Sequence, residues 1–406
     1  MRQSIYSLSA VAVAMTLGAC GKQETAVVAV PAAAPATTVV VAPPPPAGDA
    51  SVIKIGHVGP TSGGIAHLGK DNEMGARMAI EELNAKGVMI GGKKVTFELL
   101  AEDDAGDPKQ GTAVAQKLAD SKVNGVVGHL NSGVTIPASL VYNAAGIPMI
   151  SPSATAVEVT ARGLKNVFRV VANDGQLGGT LGRYAIKEIK GKSIAVIDDR
   201  TAYGQGVAEE FSKAVKASGG NVVDAQYTTD KATDFTAILT AIKSKKPDLV
   251  FYGGMDAVAG PMLRQMKQLG ITAKMMGGDG ICTGELPKLA AGAMADGQVV
   301  CAEAGGVEGE QKAGMDDFRA KFKAKFNTDV QIYAPYVYDA VNVMVAAMVK
   351  ADSADPKVYL PVLAKTDGYK GVTGTITFDD KGDIKNGALT LYTYKGDKRE
   401  QIAVVR

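Results

Sequence analysis

The sequence contains few of the residues on which many functions depend. Its 406 residues include no tryptophan, only 5% aromatic residues, three histidines and three cysteines. Without tryptophan, a stacked sugar-binding platform is not expected. The formal net charge of +2 argues against a nucleic-acid or polyanion partner, because such partners usually require a basic face.

Catalytic motifs are also missing. None of the three histidines, His57, His67 and His129, lies in a recognisable catalytic motif. The glycine-rich loops match neither a phosphate-binding loop nor the dinucleotide fingerprint. His129 lies near Ser132, so a serine–histidine pair is the enzymatic alternative that spacing alone leaves open. We therefore expect a binding protein without a cofactor or a metal, and not an enzyme.

The first 19 residues have the pattern of a secretory signal. Arg2 precedes a short, mostly apolar stretch over 5–18, which ends in the sequence LGAC at 17–20. This ending is similar to a bacterial lipobox, in which the cysteine carries the lipid and becomes the first mature residue. We expect Cys20 to be lipidated and the protein to be anchored in the periplasm. The alternative is an ordinary signal peptide with a chance cysteine.

Residues 20–50 follow as a linker that is rich in proline and alanine and includes four consecutive prolines at 43–46. Proline fixes φ and removes a hydrogen-bond donor, so an extended spacer is expected. The alternative is a disordered segment with no defined end-to-end distance. No later apolar run has the length of a membrane span, so the lipid is the expected membrane attachment.

Two cysteines remain if Cys20 carries a lipid. Exported compartments are oxidising, and a leftover pair there usually forms a disulfide. Cys282 and Cys301 alone cannot make a tetrahedral zinc site, and the histidines lie far from both in the sequence. A disulfide between Cys282 and Cys301 is therefore predicted.

Short β-branched runs alternate with helical patterns from residue 51 onwards, which predicts parallel sheets covered by helices. Predicted strands include 51–58, 95–100, 123–127, 193–197 and 248–252, and predicted helices include 72–85, 108–119, 204–218 and 333–350. The pattern restarts near residue 193, and the length of the chain favours two domains. The fold class is therefore α/β, with two Rossmann-like lobes.

Ligands of open α/β sheets bind beyond the carboxyl ends of the strands. The loops at these positions are rich in Gly, Ser, Thr and Asp, and several of them carry motifs. These are DDAGDPKQ (103–110), GHLNS (128–132), SPSAT (151–155) with TARG (160–163), YGQG (203–206), YGG (252–254) and DDKGD (379–383). In this order the motifs resemble the leucine/isoleucine/valine-binding proteins, the periplasmic receptors of branched-chain amino acid ABC transporters.

This resemblance extends from about residue 53 to beyond 385 and implies two lobes that close on a ligand like a hinge. Three crossovers would lie near 171–174, near 302–305 and near Asp383. Lobe one would comprise 51–172 and 304–383, and lobe two would comprise 173–303 and 384–406. The ligand cleft would lie between the lobes.

The resemblance also implies a set of ligand-binding residues. Ser132, Ser153, Ala154 and Thr155 would hold the carboxylate and backbone of an amino acid, with Ser153 acting through its main chain. Helix N-termini favour such anions, although Ser132 and Thr155 could instead be ordinary helix caps.

The ammonium group of an amino acid requires an anion. Asp279, in the sequence GGDG (277–280), stands where the family has an acidic partner for it. A turn aspartate beside glycines is the structural alternative. Tyr203 and Tyr333 would line the walls of the site.

Other positions depart from the family pattern. Met255 replaces a ligand-binding tyrosine, Leu68 replaces a pocket aromatic, and Asn131 and Gly106 replace the family's disulfide pair in lobe one. Asn131 at the pocket would favour some polarity in the ligand, because unpaired buried amides are costly. Ordinary packing is the alternative for Leu68 and Met255.

The expected function is the capture of a small amino acid, branched-chain or related, by a monomer that delivers it to an ABC transporter permease. A receptor for an amide, urea or another small carboxylate, or a ligand sensor for a membrane signalling protein, is the alternative. A sugar-responsive transcription regulator of similar shape would need an N-terminal helix-turn-helix, and this sequence begins with a signal-like segment.

Overall fold

The structure, a computed structural model, describes residues 51–309 and 311–405. The predicted signal, Cys20 and the linker lie outside these ranges. Within them the helices are Ala66–Lys86 (α1), Pro108–Asp120 (α2), Ser132–Ala145 (α3), Glu158–Ala161 (α4), Asp174–Lys187 (α5), Ala202–Ala217 (α6), Thr236–Ser244 (α7), Asp256–Gln268 (α8), Leu286–Ala290 (α9), Gln311–Phe326 (α10), Ala334–Lys350 (α11) and Pro356–Leu363 (α12). None of them is long and apolar enough to cross a bilayer.

The strands form two large sheets and one small ribbon. They are Ser51–Gly59 (β1), Met89–Ile90 (β2), Lys93–Asp103 (β3), Gly125–Gly128 (β4), Met149–Ser151 (β5), Val167–Arg169 (β6), Ile194–Asp198 (β7), Val222–Tyr227 (β8), Leu249–Gly253 (β9), Lys274–Gly277 (β10), Val299–Glu303 (β11), Tyr369–Gly371 (β12), Gly374–Ile376 (β13), Leu389–Lys395 (β14) and Lys398–Val405 (β15).

Sheet one has the order β2-β3-β1-β4-β5-β6 and is parallel apart from the β2–β3 hairpin. Sheet two has the order β15-β14-β11-β10-β9-β7-β8. Its strands β11, β10, β9, β7 and β8 are parallel, and β14 and β15 add an antiparallel edge. The predicted α/β class with two parallel-sheet lobes is therefore confirmed.

Helices cover both faces of each sheet. In sheet one, α1 and α11 pack on one face and α2 and α3 on the other. In sheet two, Phe211 of α6 stacks on Phe251 of β9 with ring centroids 3.9 Å apart, and α8 packs its methionines against the opposite face. Because strands covered on both faces have no solvent side, they appear in the sequence as continuous apolar runs.

The chain passes between the sheets three times. It leaves sheet one after β6, returns after β11 to form α10 and α11 beside α1, and enters sheet two again at β14. The three connecting segments touch one another: the Ala172 amide donates to the Ala304 carbonyl at 3.0 Å, and the Arg169 amide donates to the Gly382 carbonyl at 2.9 Å. The lobe boundaries given above remain predictions.

Several predicted element ends are accurate because local chemistry sets them. The Asp107 carboxylate accepts hydrogen bonds from the amides of Lys109 and Gln110, at 2.8 and 2.9 Å, and Pro108 opens α2, as predicted. Other elements were missed, including α5, α12 and the edge strand β15. α5 has apolar residues so diluted by glycine that its helical period is weak.

Candidate functional site

Polar loops of both sheets meet at a cleft, although Ser153, Thr155 and Asp279 are buried and do not line its cavity. Loops 128–133 and 151–155 follow β4 and β5 of sheet one, and loops 198–206, 253–256 and 277–280 follow β7, β9 and β10 of sheet two. The cleft includes a cavity of about 450 Å³ that is lined from both sides, with Asn131 and Gly106 on lobe one and Tyr203 and Met255 on lobe two. A cavity of this size suits a small-molecule ligand.

The lobe-one wall presents hydroxyl groups. The Ser132 hydroxyl accepts a hydrogen bond from the Ala156 amide at 3.1 Å. The hydroxyls of Ser153 and Thr155 are buried and have no hydrogen-bond partner among the described residues. Buried polar groups are normally paired, so these two hydroxyls are available to a ligand.

The expectation that Ser132 and Thr155 both stand where helices begin is half right. Ser132 is the first residue of α3, but its hydroxyl binds the 154–156 loop instead of capping its own helix. Thr155 lies before the N-cap of α4, which is Val157, and α4 has only four residues. Neither hydroxyl caps a helix, so the capping alternative is wrong for both.

Asp279 joins the two walls of the cleft. Its carboxylate accepts hydrogen bonds from the hydroxyl of Tyr203 in α6 and from the hydroxyl of Tyr333, just before α11, both at 2.8 Å. Tyr203 belongs to the sheet-two side and Tyr333 to the sheet-one side, so one carboxylate binds side chains from both. The Gly280 amide donates to the Tyr203 hydroxyl at 2.9 Å, which holds the turn that carries Asp279.

Burial dominates the electrostatics of this group. Asp279 is fully buried, and burial raises its pKa from 3.8 to about 6, although the tyrosine hydrogen bonds act to lower it. Burial, with the charge of Asp279, also raises the pKa of Tyr203 and of Tyr333 well above 10. Both tyrosines therefore remain hydrogen-bond donors at neutral pH, and a nearby ammonium would favour the ionised form of Asp279.

Gly280 occupies a position that only glycine fits. A Cβ atom there would lie 2.6 Å from the Gly254 carbonyl oxygen and 2.8 Å from the Met255 sulfur. The loop after β9 and the turn after β10 therefore pack backbone to backbone. This close approach places Met255 at the cleft beside Asp279.

The remaining predicted residues lie as follows. Leu68 is completely buried in an apolar cluster with Leu130 and Tyr333. Met255 is half-buried, packs against that cluster and lines the cavity. Asn131 is half-buried, and the oxygen of its side-chain amide has no partner among the described residues.

Arg169 connects the lobe-one loop with the crossovers, a connection that sequence reasoning did not find. Its buried guanidinium donates to the carbonyls of Ala154 and Ala156, at 3.1 and 2.7 Å, and to the Asp383 carboxylate at 2.6 and 2.9 Å. Asp383 also accepts from Asn173 of the first crossover at 3.1 Å. An arginine inside the otherwise apolar run 167–172 is the feature of the sequence that could have indicated this connection.

Asp174 was also missed. It is the first residue of α5 and is completely buried, and both of its carboxylate oxygens have no hydrogen-bond partner among the described residues. Burial, followed by the charge of Asp279, raises its pKa well above 3.8. An acidic residue next to Asn173 looks like a helix start in the sequence, which hides its place in the cleft.

His129 and Ser132 do not form a catalytic pair. The two ring nitrogens of His129 contact the Asp104 carboxylate at 2.9 Å and the Tyr142 hydroxyl at 3.0 Å. All three residues are buried in lobe one. The histidine therefore stabilises the loop that carries Ser132.

The predicted disulfide is present. Cys282 and Cys301 are bonded and completely buried, with their Cα atoms 5.3 Å apart. The bond links strand β11 to the residue that follows the turn Asp279–Ile281. It therefore ties the acid of the cleft to the sheet.

Two α/β lobes with a cleft between the carboxyl ends of their strands define a bilobed ligand-binding protein. A family model of periplasmic binding proteins matches residues 52–399, and the chain belongs to this family.

Individual relatives agree with this assignment. The leucine-, isoleucine-, valine-, threonine- and alanine-binding protein of Pseudomonas aeruginosa is 36% identical over 86% of this chain and 91% of its own length. The leucine-specific-binding protein of Salmonella typhimurium is 34% identical over 87% of this chain and 94% of its own. The substrate-binding protein LivJ of Streptococcus pneumoniae, solved with isoleucine, is 29% identical with a TM-score of 0.79, over 87% of this chain and 99% of its own.

Proposed function

We propose that this protein captures a small aliphatic or small polar amino acid in the periplasm and delivers it to an ABC transporter permease when its lobes close. The observation that carries the proposal is Asp279, a buried carboxylate bound by tyrosines of both walls; lobe one adds two buried hydroxyls, of Ser153 and Thr155, that have no partner among the described residues. Hydroxyl and amide donors suit a carboxylate, and a buried acid suits an ammonium. An amino acid carries both groups.

The roles assigned to individual residues follow from this arrangement. Ser132, Ser153, Ala154 and Thr155 would bind the ligand carboxylate and backbone, and Asp279 would bind the ammonium. Leu68, Met255 and Tyr333 would contact the ligand side chain. The names of the relatives include leucine, isoleucine, valine, threonine and alanine as ligands, which supports a small amino acid as the ligand of this protein.

A ligand screen tests the proposed function. The protein is unfolded and refolded to remove any carried ligand, and its melting temperature is measured with each of the twenty amino acids, with benzoate and with urea. A ligand present at 100 times its dissociation constant should stabilise the protein by about 2.7 kcal/mol. Aliphatic or small polar amino acids should raise the melting temperature. A shift with benzoate or urea alone would refute the proposal.

The Asp279→Ala variant tests the role of the acid. Removing one partner of a buried charge pair should weaken binding of the amino acid found in the screen on the order of 30-fold or more. Asp224→Asn is a suitable control, because Asp224 lies on edge strand β8 and also has a buried carboxylate oxygen without a partner. Unchanged affinity in Asp279→Ala would remove Asp279 from the site.

The location is proposed on the N-terminal pattern and on family membership. Lipidation of Cys20 would anchor the protein to a membrane, with the linker 21–50 as a spacer. Replacing Cys20 with serine should move the protein from the membrane fraction to the soluble fraction. Sedimentation velocity should give the mass of a monomer.

A further inference from the structure

Asp174 has a position that the proposed amino-acid site does not yet explain. It begins α5, at the first crossover, and its amide donates to the Thr155 carbonyl at 2.8 Å. It therefore lies beside the residue that would bind the ligand from lobe one. Its carboxylate lies close to the Thr155 side chain, which acts to lower its pKa, and next to α6.

The carboxylate of Asp174 packs against α6 at a glycine. Gly206 stands there, and a Cβ atom at Gly206 would lie 3.1 Å from one carboxylate oxygen of Asp174. Gly206 is one turn after Tyr203, whose hydroxyl binds Asp279. Asp174 and Asp279 therefore both lie near the start of α6, and the charge of Asp279 acts to raise the pKa of Asp174.

A buried carboxylate without a partner requires a reason. Both oxygens of Asp174 lack a hydrogen bond among the described residues, and the residue has no exposed surface. Leaving such a group unpaired is costly. A favourable interaction with the helix dipole at the start of α5 offsets only part of that cost. A ligand that supplies a cation to this position would satisfy it.

We propose that Asp174 is a second ligand-binding carboxylate, which accepts an N–H from the ammonium of the ligand while Asp279 binds the same group from the other side. The inference rests on the proposed function and makes it more specific. An ammonium has three N–H donors, so it can contact Asp174, Asp279 and one hydroxyl or carbonyl of lobe one together. Ligands with a carboxylate and no ammonium would leave two buried acids unpaired and would be rejected.

Binding of an ammonium changes the protonation of Asp174. Burial raises the pKa of Asp174 well above 3.8, which favours its protonated form in the free protein. A charged ammonium ligand binds the ionised carboxylate, so the carboxyl proton is released to the buffer when the ligand enters. Binding of the ligand should therefore release protons to the buffer.

Matched ligand pairs test the proposal. Affinities of the wild type and of Asp174→Asn are measured by isothermal titration calorimetry for L-leucine and 4-methylpentanoate, and for L-alanine and propionate. The wild type should prefer the amino acid of the pair that it binds. Asp174→Asn, which keeps the shape of the side chain, should lose about tenfold or more in affinity for that amino acid. Asp224→Asn should bind like the wild type.

The outcomes separate this inference from the proposed function. If neither amino acid nor any other in the screen binds the wild type, the proposed function fails. If an amino acid binds the wild type and Asp174→Asn with equal affinity, the proposed function stands and the role of Asp174 is refuted.

A second measurement does not depend on the variant folding. The wild type is titrated with its amino acid at pH 7 in phosphate and in Tris, which have different ionisation enthalpies. Different binding heats in the two buffers report the released proton, and Asp279, with a pKa of about 6, contributes little at this pH. Identical heats in the two buffers, together with equal affinity of the wild type for the amino acid and for its matched carboxylate without an ammonium, would overturn the proposal.

Discussion

At the scale of single residues, Arg169 shows how one side chain supports the whole lobe-one wall. Its guanidinium is completely buried and satisfies two backbone carbonyls of the 154–156 loop as well as Asp383. Arginine is suited to this task because its planar group presents several donors in a fixed geometry. The shape of the ligand-binding loop thus depends on a residue that lies behind it.

Replacing Arg169 with methionine should destabilise the protein by about 3–5 kcal/mol, because it leaves two carbonyls without their donor and removes the charged partner of Asp383. Arg183→Met is the control, since Arg183 is exposed on α5 and contacts only the Thr180 hydroxyl among the described residues; it should cost about 0.5 kcal/mol or less. Urea unfolding measures both. A loss below about 1 kcal/mol in Arg169→Met would contradict this account.

The raised pKa of Asp279 predicts that ligand affinity depends on pH. Its pKa in the folded protein is about 6, above the ordinary 3.8. Ionisation of this buried carboxyl therefore lowers the stability of the folded state progressively as the pH rises from 3.8 to 6. The ionised form binds an ammonium, so its contribution to affinity is lost as the pH falls through 6. The affinity ratio of wild type to Asp279→Asn should be about tenfold smaller at pH 5 than at pH 7. A ratio independent of pH would contradict the ion pair.

At the scale of elements, the cleft is held by short connections between strand ends. The turn Asp279–Ile281 follows β10, and the disulfide ties the next residue, Cys282, to the neighbouring strand β11. The Cys282 amide also donates to the Asp279 carbonyl at 2.9 Å. The carboxylate of Asp279 is thereby positioned by a covalent bond as well as by the tyrosines.

Replacing Cys282 and Cys301 together with serine should lower stability by about 3 kcal/mol, because a loop of 19 residues is no longer closed in the unfolded chain. Amino-acid affinity should fall as well, because the turn that carries Asp279 becomes less constrained. Thermal unfolding with and without reductant measures the first effect. Reductant should lower the melting temperature of the wild type and leave the double variant unchanged; equal sensitivity would contradict a structural disulfide.

At the scale of the whole molecule, the two lobes are connected by an ion pair outside the hinge. His67 of α1 and Asp256 at the start of α8 lie 2.7 Å apart, and Thr283 donates to the same aspartate oxygen at 2.6 Å. α1 belongs to the sheet-one side and α8 to the sheet-two side. Opening of the cleft would break this pair, so the pair stabilises the closed arrangement.

This contact should depend on pH. Burial alone would lower the pKa of His67, but the hydrogen bond and charge of Asp256, with Glu285 and Asp71 nearby, raise it above 6.5. Its contribution is therefore complete below pH 6.5 and is lost as the pH rises through the folded-state value. Because His67 is 22% exposed, the effect is modest, about 0.5–1 kcal/mol or two- to fivefold in affinity. The affinity ratio of wild type to His67→Gln should fall between pH 6 and 8.5, and a constant ratio would contradict the connection.

Much of the fold could be predicted from the sequence. The alternation of apolar strands and amphipathic helices, the cap at Asp107 and the pairing of Cys282 with Cys301 depend on local pattern and on composition. The loops that meet at the cleft could also be named, because ligands of such sheets bind at the carboxyl ends of strands. Asp279 and Tyr203 lie in such loops, whereas Tyr333 was named from the family resemblance, and both tyrosines were expected only to line the walls of the site.

What the sequence determined by itself is the succession of elements, because hydrophobic period and capping act over a few residues. Only the tertiary structure decided which distant polar groups are paired. The partnership of Arg169 with Asp383, the contact between His67 and Asp256, and the unpaired burial of Asp174 each depend on segments far apart in the chain. Burial and charge act through space, so pKa values and hydrogen-bond partners arise only when the lobes are folded together.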